Sequence, residues 1–168
     1  FIIAYGVTAP ELALSRDTML TAVLIAAAIM VPSQFYFSGL SDRVGRKQIY
    51  RWGAILTGLW GFALFPLINT GEPLMIVIAV TLGLTFLGMQ YGPQAAYFTE
   101  LFTTEVRYSG ASLGYQIGAI LGGALAPTIA VLLWNELGIF YVSVYILVAA
   151  ILTLLSLSAL EETKGRTL

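Results

Sequence analysis

The side chains able to do chemistry in this chain are few and clustered. Gly39-Leu40-Ser41-Asp42-Arg43-Val44-Gly45-Arg46-Lys47 sets a carboxylate among three cations, with Gly39 and Gly45 permitting tight backbone geometry. That grouping suits ion pairing rather than the making or breaking of bonds. A second acid and base, Glu100 and Arg107, bracket six residues. The other candidates are uncharged: Gln90, Tyr91 and Gln94 beside Pro93, Tyr115 and Gln116, and Gln34 beyond Pro32. Gln90 and Gln94 share a helix face at i, i+4, and an amide held away from water is costly unless it bonds to something, either a neighbouring helix or a ligand. Tyr5 is a weaker candidate of the same kind. The chain has no cysteine and no histidine, which removes disulfides, thiol chemistry and the commonest metal ligands. No H-E-x-x-H motif occurs, so an intramembrane enzyme is a remote alternative.

The elements that must carry these groups are long apolar runs. Only 10% of residues are charged and 58% are hydrophobic, with a mean hydropathy of +0.87, whereas about a quarter of a soluble domain is charged. A run of about 20 apolar residues makes a helix of roughly 30 Å, the thickness of a bilayer's hydrocarbon core. Five complete spans are expected at about 19–39, 52–70, 74–98, 110–134 and 138–160, after a truncated helix over 1–8 and before a tail over 161–168. None of the five contains Asp, Glu, Lys or Arg. The fold class is therefore all-α, a polytopic membrane protein. Phe1-Ile2-Ile3-Ala4-Tyr5 reads as the inside of a span, which makes the sequence part of a longer protein.

Local signals give each span a character. Asp17 suits the N-cap of the first complete span. Pro93 removes a backbone hydrogen bond, so the third should bend or break near that residue. In the fourth, Gly110, Gly114, Gly118, Gly122 and Ala126 recur every four residues, a ridge of small side chains along which another backbone can approach closely. The last, from Ile139 to Leu160, has no Gly, Pro or Gln and suits a helix turned toward lipid.

The connectors at Asn69–Pro73 and Asn135–Gly138 are short, so neighbouring spans run antiparallel. Alternation puts the 40–51 turn, the 99–109 loop and the tail on one face, with Arg43, Arg46, Lys47, Arg51, Arg107, Lys164 and Arg166. The opposite face has Arg16 against Glu11, Asp17, Glu72 and Glu136. Basic residues collect on the cytoplasmic side of membrane proteins, so the Asp42 face is expected there, in a cell membrane. Tyr50 and Trp52 fall at the inner interface and Trp134 at the outer one.

The charged turn resembles the signature loop G-x-L-A-D-R-x-G-R-K of the major facilitator superfamily of secondary transporters. Leu40, Asp42, Arg43, Gly45, Arg46 and Lys47 match it; Ser41 stands for the Ala and Ser38 for the first Gly. Glu100 and Arg107 are similar to that superfamily's E-x6-R pattern. Glu161-Glu162-Thr163-Lys164-Gly165-Arg166-Thr167-Leu168 is similar to the P-E-T-K-G-R-x-L ending that follows the twelfth helix, with Glu161 in place of Pro. The segment from Thr99 to Ser112 is most similar to the metabolite:proton symporters, whose members carry shikimate, 2-oxoglutarate, proline and betaine.

The resemblance implies a six-helix C-terminal half of a twelve-helix transporter, one helix of it truncated, with an N-terminal half as its partner. It implies transport of a small polar metabolite by alternating access, with a proton as coupling ion and no other cofactor. Asp42, Arg43, Gly45, Arg46, Lys47, Glu100 and Arg107 would form a cytoplasmic gating network, with Asp42 meeting a helix N-terminus in the other half. Gln34, Gln90, Tyr91, Gln94, Tyr115 and Gln116 would face the substrate cavity. Since no complete span has a carboxylate, the titrating group is expected in the other half. A facilitated-diffusion uniporter and a drug or metabolite efflux carrier of the same fold stay open. Nucleic acid is not an expected partner.

Overall fold

The computed structural model describes residues 1–10 and 12–165, and for Leu121 the backbone alone. Glu11 of the acidic face, and Arg166, Thr167 and Leu168 of the tail, lie outside the described residues. The described chain is helical throughout: α1 (Ile2–Thr8), α2 (Arg16–Val44), α3 (Arg46–Asn69), α4 (Pro73–Glu100), α5 (Arg107–Gly118), a π-helical segment (Ala119–Ala124), α6 (Leu125–Leu137) and α7 (Ile139–Ala159). Helices α2, α3, α4, the run from Arg107 to Leu137, and α7 are long and apolar enough to cross a membrane.

Short turns set the alternation. Gly45 is the only residue between α2 and α3, at φ 129° and ψ 140°, and Gly138 is the only one between α6 and α7, at φ 97°. Pro73 opens α4, where its missing N–H has no helical partner to lose. Ser15, not Asp17, caps α2: its Oγ accepts from the Thr18 amide at 3.1 Å. Asp17 lies in the first turn instead, where its charge complements the helix dipole. Helix α2 runs through Gly39–Val44, so the residues read as a nine-residue turn are mostly helix, bent at Gly45 alone.

Helix α4 lies between α2 and α3; α3 packs in turn on α7, α7 on α6, and α1 on α2. Glycines on α3 and α4 make these seams tight. A Cβ on Gly92 would stand 2.7 Å from the Gln34 carbonyl oxygen and 3.0 Å from the Ser38 nitrogen, both backbone atoms of α2. One on Gly58 would stand 2.7 Å from the Cβ of Ala150 in α7, and one on Gly53 2.8 Å from Cγ of Gln90. Seams this close exclude lipid and bring backbone dipoles together, the packing that substitutes for hydrophobic collapse inside a bilayer. Along the spans, hydrogen bonds cross them from Trp60 Nε1 to the Ala79 carbonyl at 2.9 Å, from Gln90 Nε2 to Thr57 Oγ1 at 3.0 Å, and from the buried Ser143 hydroxyl to the Gly61 carbonyl at 2.7 Å.

Two expectations change. Helix α4 is unbroken through Pro93, which is buried beside the Gly92 contact with α2. The ridge of small residues has almost no partner within this chain: a Cβ on Gly114, Gly118 or Gly122 would meet no atom within 4 Å, and only Gly110 is covered, by the ring of Phe102 at 2.6 Å. Periodicity identified a smooth helix face without locating what lies on it.

Gly92→Ala must push α2 away from α4, and overpacking of this kind costs about 1–3 kcal/mol. The midpoint of thermal unfolding in detergent is expected to fall. Gly39→Ala, whose added Cβ meets nothing within 4 Å, is expected to leave the midpoint unchanged or slightly higher.

Candidate functional site

The first amides of any helix lack intrahelical partners. At the start of α3 the need is acute, because its N-cap is Gly45 and has no side chain to offer. The cap comes from the other end of the chain. Glu162, in the tail after α7, accepts from the Arg46 amide at 2.9 Å through Oε1 and from the Lys47 amide at 3.1 Å through Oε2. Its Oε1 also accepts from the amides of Thr163 and Lys164, at 3.1 and 3.2 Å, which curls the tail around the carboxylate. Lys164 Nζ donates to the Arg43 carbonyl in the last turn of α2. The tail thus puts an anion at the start of α3 and a cation at the end of α2, each the charge that the helix end favours. Lys47 Nζ donates to the Leu160 carbonyl and closes the ring of contacts.

Gly45 is required twice over. Its φ of 129° is unfavourable for any L side chain, and a Cβ there would lie 2.7 Å from Glu162 Oε2, inside the carboxylate's place.

A second layer of contacts lies beneath the first. The Arg46 guanidinium meets Glu100, with Nη2 at 3.1 Å and Nε at 3.3 Å from Oε1. It also donates to Ser41 Oγ at 2.9 Å and pairs with Asp42 one turn back. The Arg46 and Glu100 side chains are only 15% and 12% exposed, so this ion pair is screened less than one on an open surface. Thr163, buried, donates its hydroxyl to Glu100 Oε2, and the buried Tyr97 donates to the Glu161 carbonyl at 2.9 Å. Glu100 therefore receives α3 through Arg46 and the tail through Thr163. The ends of α2, α3, α4 and α7 on this side of the bundle are joined in one network.

Several residues singled out by spacing land elsewhere. Arg107 forms no ion pair among the described residues; its Nε donates to the Thr99 carbonyl at 3.0 Å, tying the 101–106 loop back to α4. The six-residue spacing put acid and base on one loop without making them partners. The Asp42 side chain stays 57% exposed while paired to Arg46, so it has a partner inside this chain. The Arg43 side chain is exposed and has no ion pair among the described residues.

Of the uncharged candidates, Gln90 is engaged with Thr57 across the α3–α4 seam, and Gln34 is half-buried at the α2–α4 crossing. Tyr91 is exposed and Gln94 half-buried. Tyr115 and Gln116 share a cleft of about 260 Å³ between the C-terminal end of α4 and α5 with Thr99 and Ser112. Tyr5, by contrast, is buried among Phe1, Phe65 and Trp134 and donates to Asn69 Oδ1 at 2.7 Å. Among the described residues no group of three His, Cys, Asp or Glu could hold a metal ion. Gly110-Ala111-Ser112-Leu113-Gly114 has the letters G-x-S-x-G, but it lies inside a helix rather than at a strand-to-helix elbow, in a chain without histidine. It is no nucleophile motif.

Spacing alone also missed Ser41, Tyr97, Glu162, Thr163 and Lys164. One signal was available: the tail sets Glu162 and Lys164 two residues apart, charges opposite to those that the two helix ends present.

Losing a helix cap costs about 0.5–2 kcal/mol. Glu162→Ala is therefore expected to speed hydrogen exchange at the Arg46 and Lys47 amides by up to about thirtyfold, read by mass spectrometry on the peptide that contains them. Glu136→Ala, at the far end of the bundle, is expected to leave that peptide unchanged.

The chain matches the Major Facilitator Superfamily over residues 1–167. It is 38% identical, over 89% of its length, to the inner membrane metabolite transport protein YhjE of Escherichia coli. It is 29% identical, over 82%, to the shikimate transporter of Escherichia coli, and 29% identical, over 87%, to the glycine betaine/proline/ectoine/pipecolic acid transporter OusA of Dickeya dadantii. The alignments take in 34%, 33% and 30% of those proteins, so the chain spans about a third of the length of the curated relatives it matches. No solved structure matches. These relatives are named as transporters, not enzymes, and the match runs along the whole bundle of membrane-length helices. The chain belongs to the major facilitator superfamily.

Proposed function

We propose that the protein to which this chain belongs is a secondary active transporter. It moves a small polar metabolite, an organic acid, an amino acid or a betaine, by alternating access and with a proton as coupling ion. The observation that carries this reading is the network joining the ends of α2, α3, α4 and α7 through Arg46, Glu100, Thr163 and Glu162. Rocking of one half against another around a midplane site requires each half to move as a body, and this network ties four helix ends into one. The relatives that carry shikimate and betaine by name support the substrate class.

Orientation follows from charge. Six of the seven described basic residues lie at the network end and one, Arg16, lies opposite, which supports a cytoplasmic network and tail. On the substrate side this chain offers phenol, hydroxyl and amide groups, at Tyr91, Gln94, Ser112, Tyr115 and Gln116. These hydrogen-bond a polar solute without fixing its charge. A proton carrier and a counter-charge then come from six further helices, packed as a second half against this one in the bilayer. A uniporter is the second reading, favoured by one observation: the apolar core of each complete span here is free of ionisable groups.

The test is uptake by the full-length protein in proteoliposomes, with shikimate, proline and glycine betaine as probes and with or without a pH gradient. Accumulation driven by an inward proton gradient is expected. Arg46→Ala is expected to slow it about tenfold or more at equal membrane insertion, because it removes the guanidinium from a Glu100 carboxylate that is only 12% exposed. Equilibration without accumulation would make the protein a uniporter, and chemical conversion of a probe would contradict transport.

A further inference from the structure

A cavity of about 410 Å³ lies at the end of the bundle opposite the charged network. Four elements of this chain line it: the end of α1 and the loop after it through Tyr5, Pro10 and Leu12, the end of α3 through Asn69, the last turn of α6 through Trp134, and the start of α7 through Ile139. Its volume falls in the range of about 300–1,000 Å³ that takes small organic ligands.

Local geometry shapes each wall. The loop folds back on α1: the Leu12 and Ala13 amides donate to the Ala9 carbonyl at 3.0 and 3.1 Å, and the Leu14 amide donates to the Gly6 carbonyl at 3.0 Å. The rings of Tyr5 and Trp134 meet at 79° with centroids 5.1 Å apart, which makes a corner of two aromatic walls. Phe65 stands edge-on to Tyr5 at 5.6 Å and Phe1 to Trp134 at 6.1 Å, so each wall is braced by a further ring. Tyrosine and tryptophan near a membrane surface commonly anchor a span among lipid headgroups. Tyr5 does not: it is 4% exposed, and its hydroxyl donates to Asn69 Oδ1 at 2.7 Å. That bond leaves the Asn69 amide nitrogen as a donor at the edge of the cavity.

Electrostatics select the sign of the occupant. Among the described residues no Lys or Arg lines the cavity, and the helix ends that reach it are the C-termini of α1, α3 and α6 against the N-terminus of α7 alone. Helix C-termini carry partial negative charge, and so do the faces of aromatic rings. The described charges at this end of the bundle are Asp17, Glu72 and Glu136 against Arg16. A small, strongly hydrated metal ion would find no described carboxylate in the lining to replace its water. A methylated ammonium keeps its charge while presenting apolar surface to the rings.

We propose that this corner binds a quaternary ammonium group, seated against Tyr5 and Trp134, with any carboxylate of the same molecule turned toward the Asn69 amide. Aromatic boxes hold such groups through the attraction between the cation and the ring faces. The cavity shares no lining residue with the cleft at Tyr115 and Gln116. Its occupancy does not depend on the transporter reading above.

The test is fluorine NMR on the full-length protein in nanodiscs, labelled with fluorotryptophan, with the Trp134 resonance assigned by its loss in Trp134→Phe. Tetramethylammonium and glycine betaine are each expected to shift that resonance saturably and to leave those of Trp52 and Trp60 in place. The uncharged tert-butanol, of similar shape, is expected to need at least about tenfold more to give the same shift. Tyr5→Leu removes one aromatic wall and is expected to raise the tetramethylammonium midpoint by about three- to thirtyfold. Asn69→Asp keeps an acceptor for Tyr5 and adds a negative charge at the edge, so it is expected to lower that midpoint about threefold without moving that of tert-butanol. This second variant carries the test should Tyr5→Leu fail to fold. Absence of a saturable Trp134 shift with tetramethylammonium, or equal midpoints for tetramethylammonium and tert-butanol, would overturn the site.

Discussion

The carboxylate of Glu162 on the first amides of α3 is the contact from which the rest of this end of the bundle follows. A one-residue turn at Gly45 brings α2 and α3 together as tightly as two helices can be joined, and it leaves α3 with no cap of its own. An anion must come from elsewhere, and only a residue without a Cβ leaves room for it. Once Glu162 is seated, Thr163 reaches Glu100 and Lys164 reaches the end of α2. Glu100 in turn holds Arg46. Ion pairs on open surfaces contribute little, but the Arg46–Glu100 pair is largely shielded, and Glu162 and Lys164, though exposed, each meet a helix end. The network therefore acts as one contact among four helices rather than as a set of separate bridges.

Above that end, the bundle is divided into sealed and open parts. Gly53, Gly58, Gly88 and Gly92 close the seams of α3 and α4 with their neighbours, so that α2, α3, α4 and α7 form a continuous packed unit. The fourth membrane-length helix, Arg107–Leu137, is attached at its two ends and, among the described residues, exposed between them. Its smooth face and shifted hydrogen-bond register lie where packing does not enforce a straight α-helix. One end of the bundle is thus tied as a body, beside one helix that is exposed along its middle among the described residues.

Much of this was legible in the sequence because the signals are local. Run length and the absence of charge define the membrane helices, and the asymmetry of Lys and Arg separates the two ends of the bundle. The extent of the charged turn was not legible. The end of α2 that holds Gly39–Val44 meets its partner, Lys164 on the Arg43 carbonyl, 121 positions away, which no local pattern reports. Spacing also placed Glu100, Arg107, Asp42 and Arg46 at one end without choosing partners among them.

The central claim is that Glu162 and Glu100 stabilise the same turn from two sides, and a double-mutant cycle tests it most directly. Unfolding free energies would be measured for the full-length protein, for Glu162→Ala, for Glu100→Gln and for the double variant. Shared action predicts a coupling of about 0.5–3 kcal/mol. Losses that add to within about 0.3–0.5 kcal/mol, the behaviour of independent sites, would contradict it.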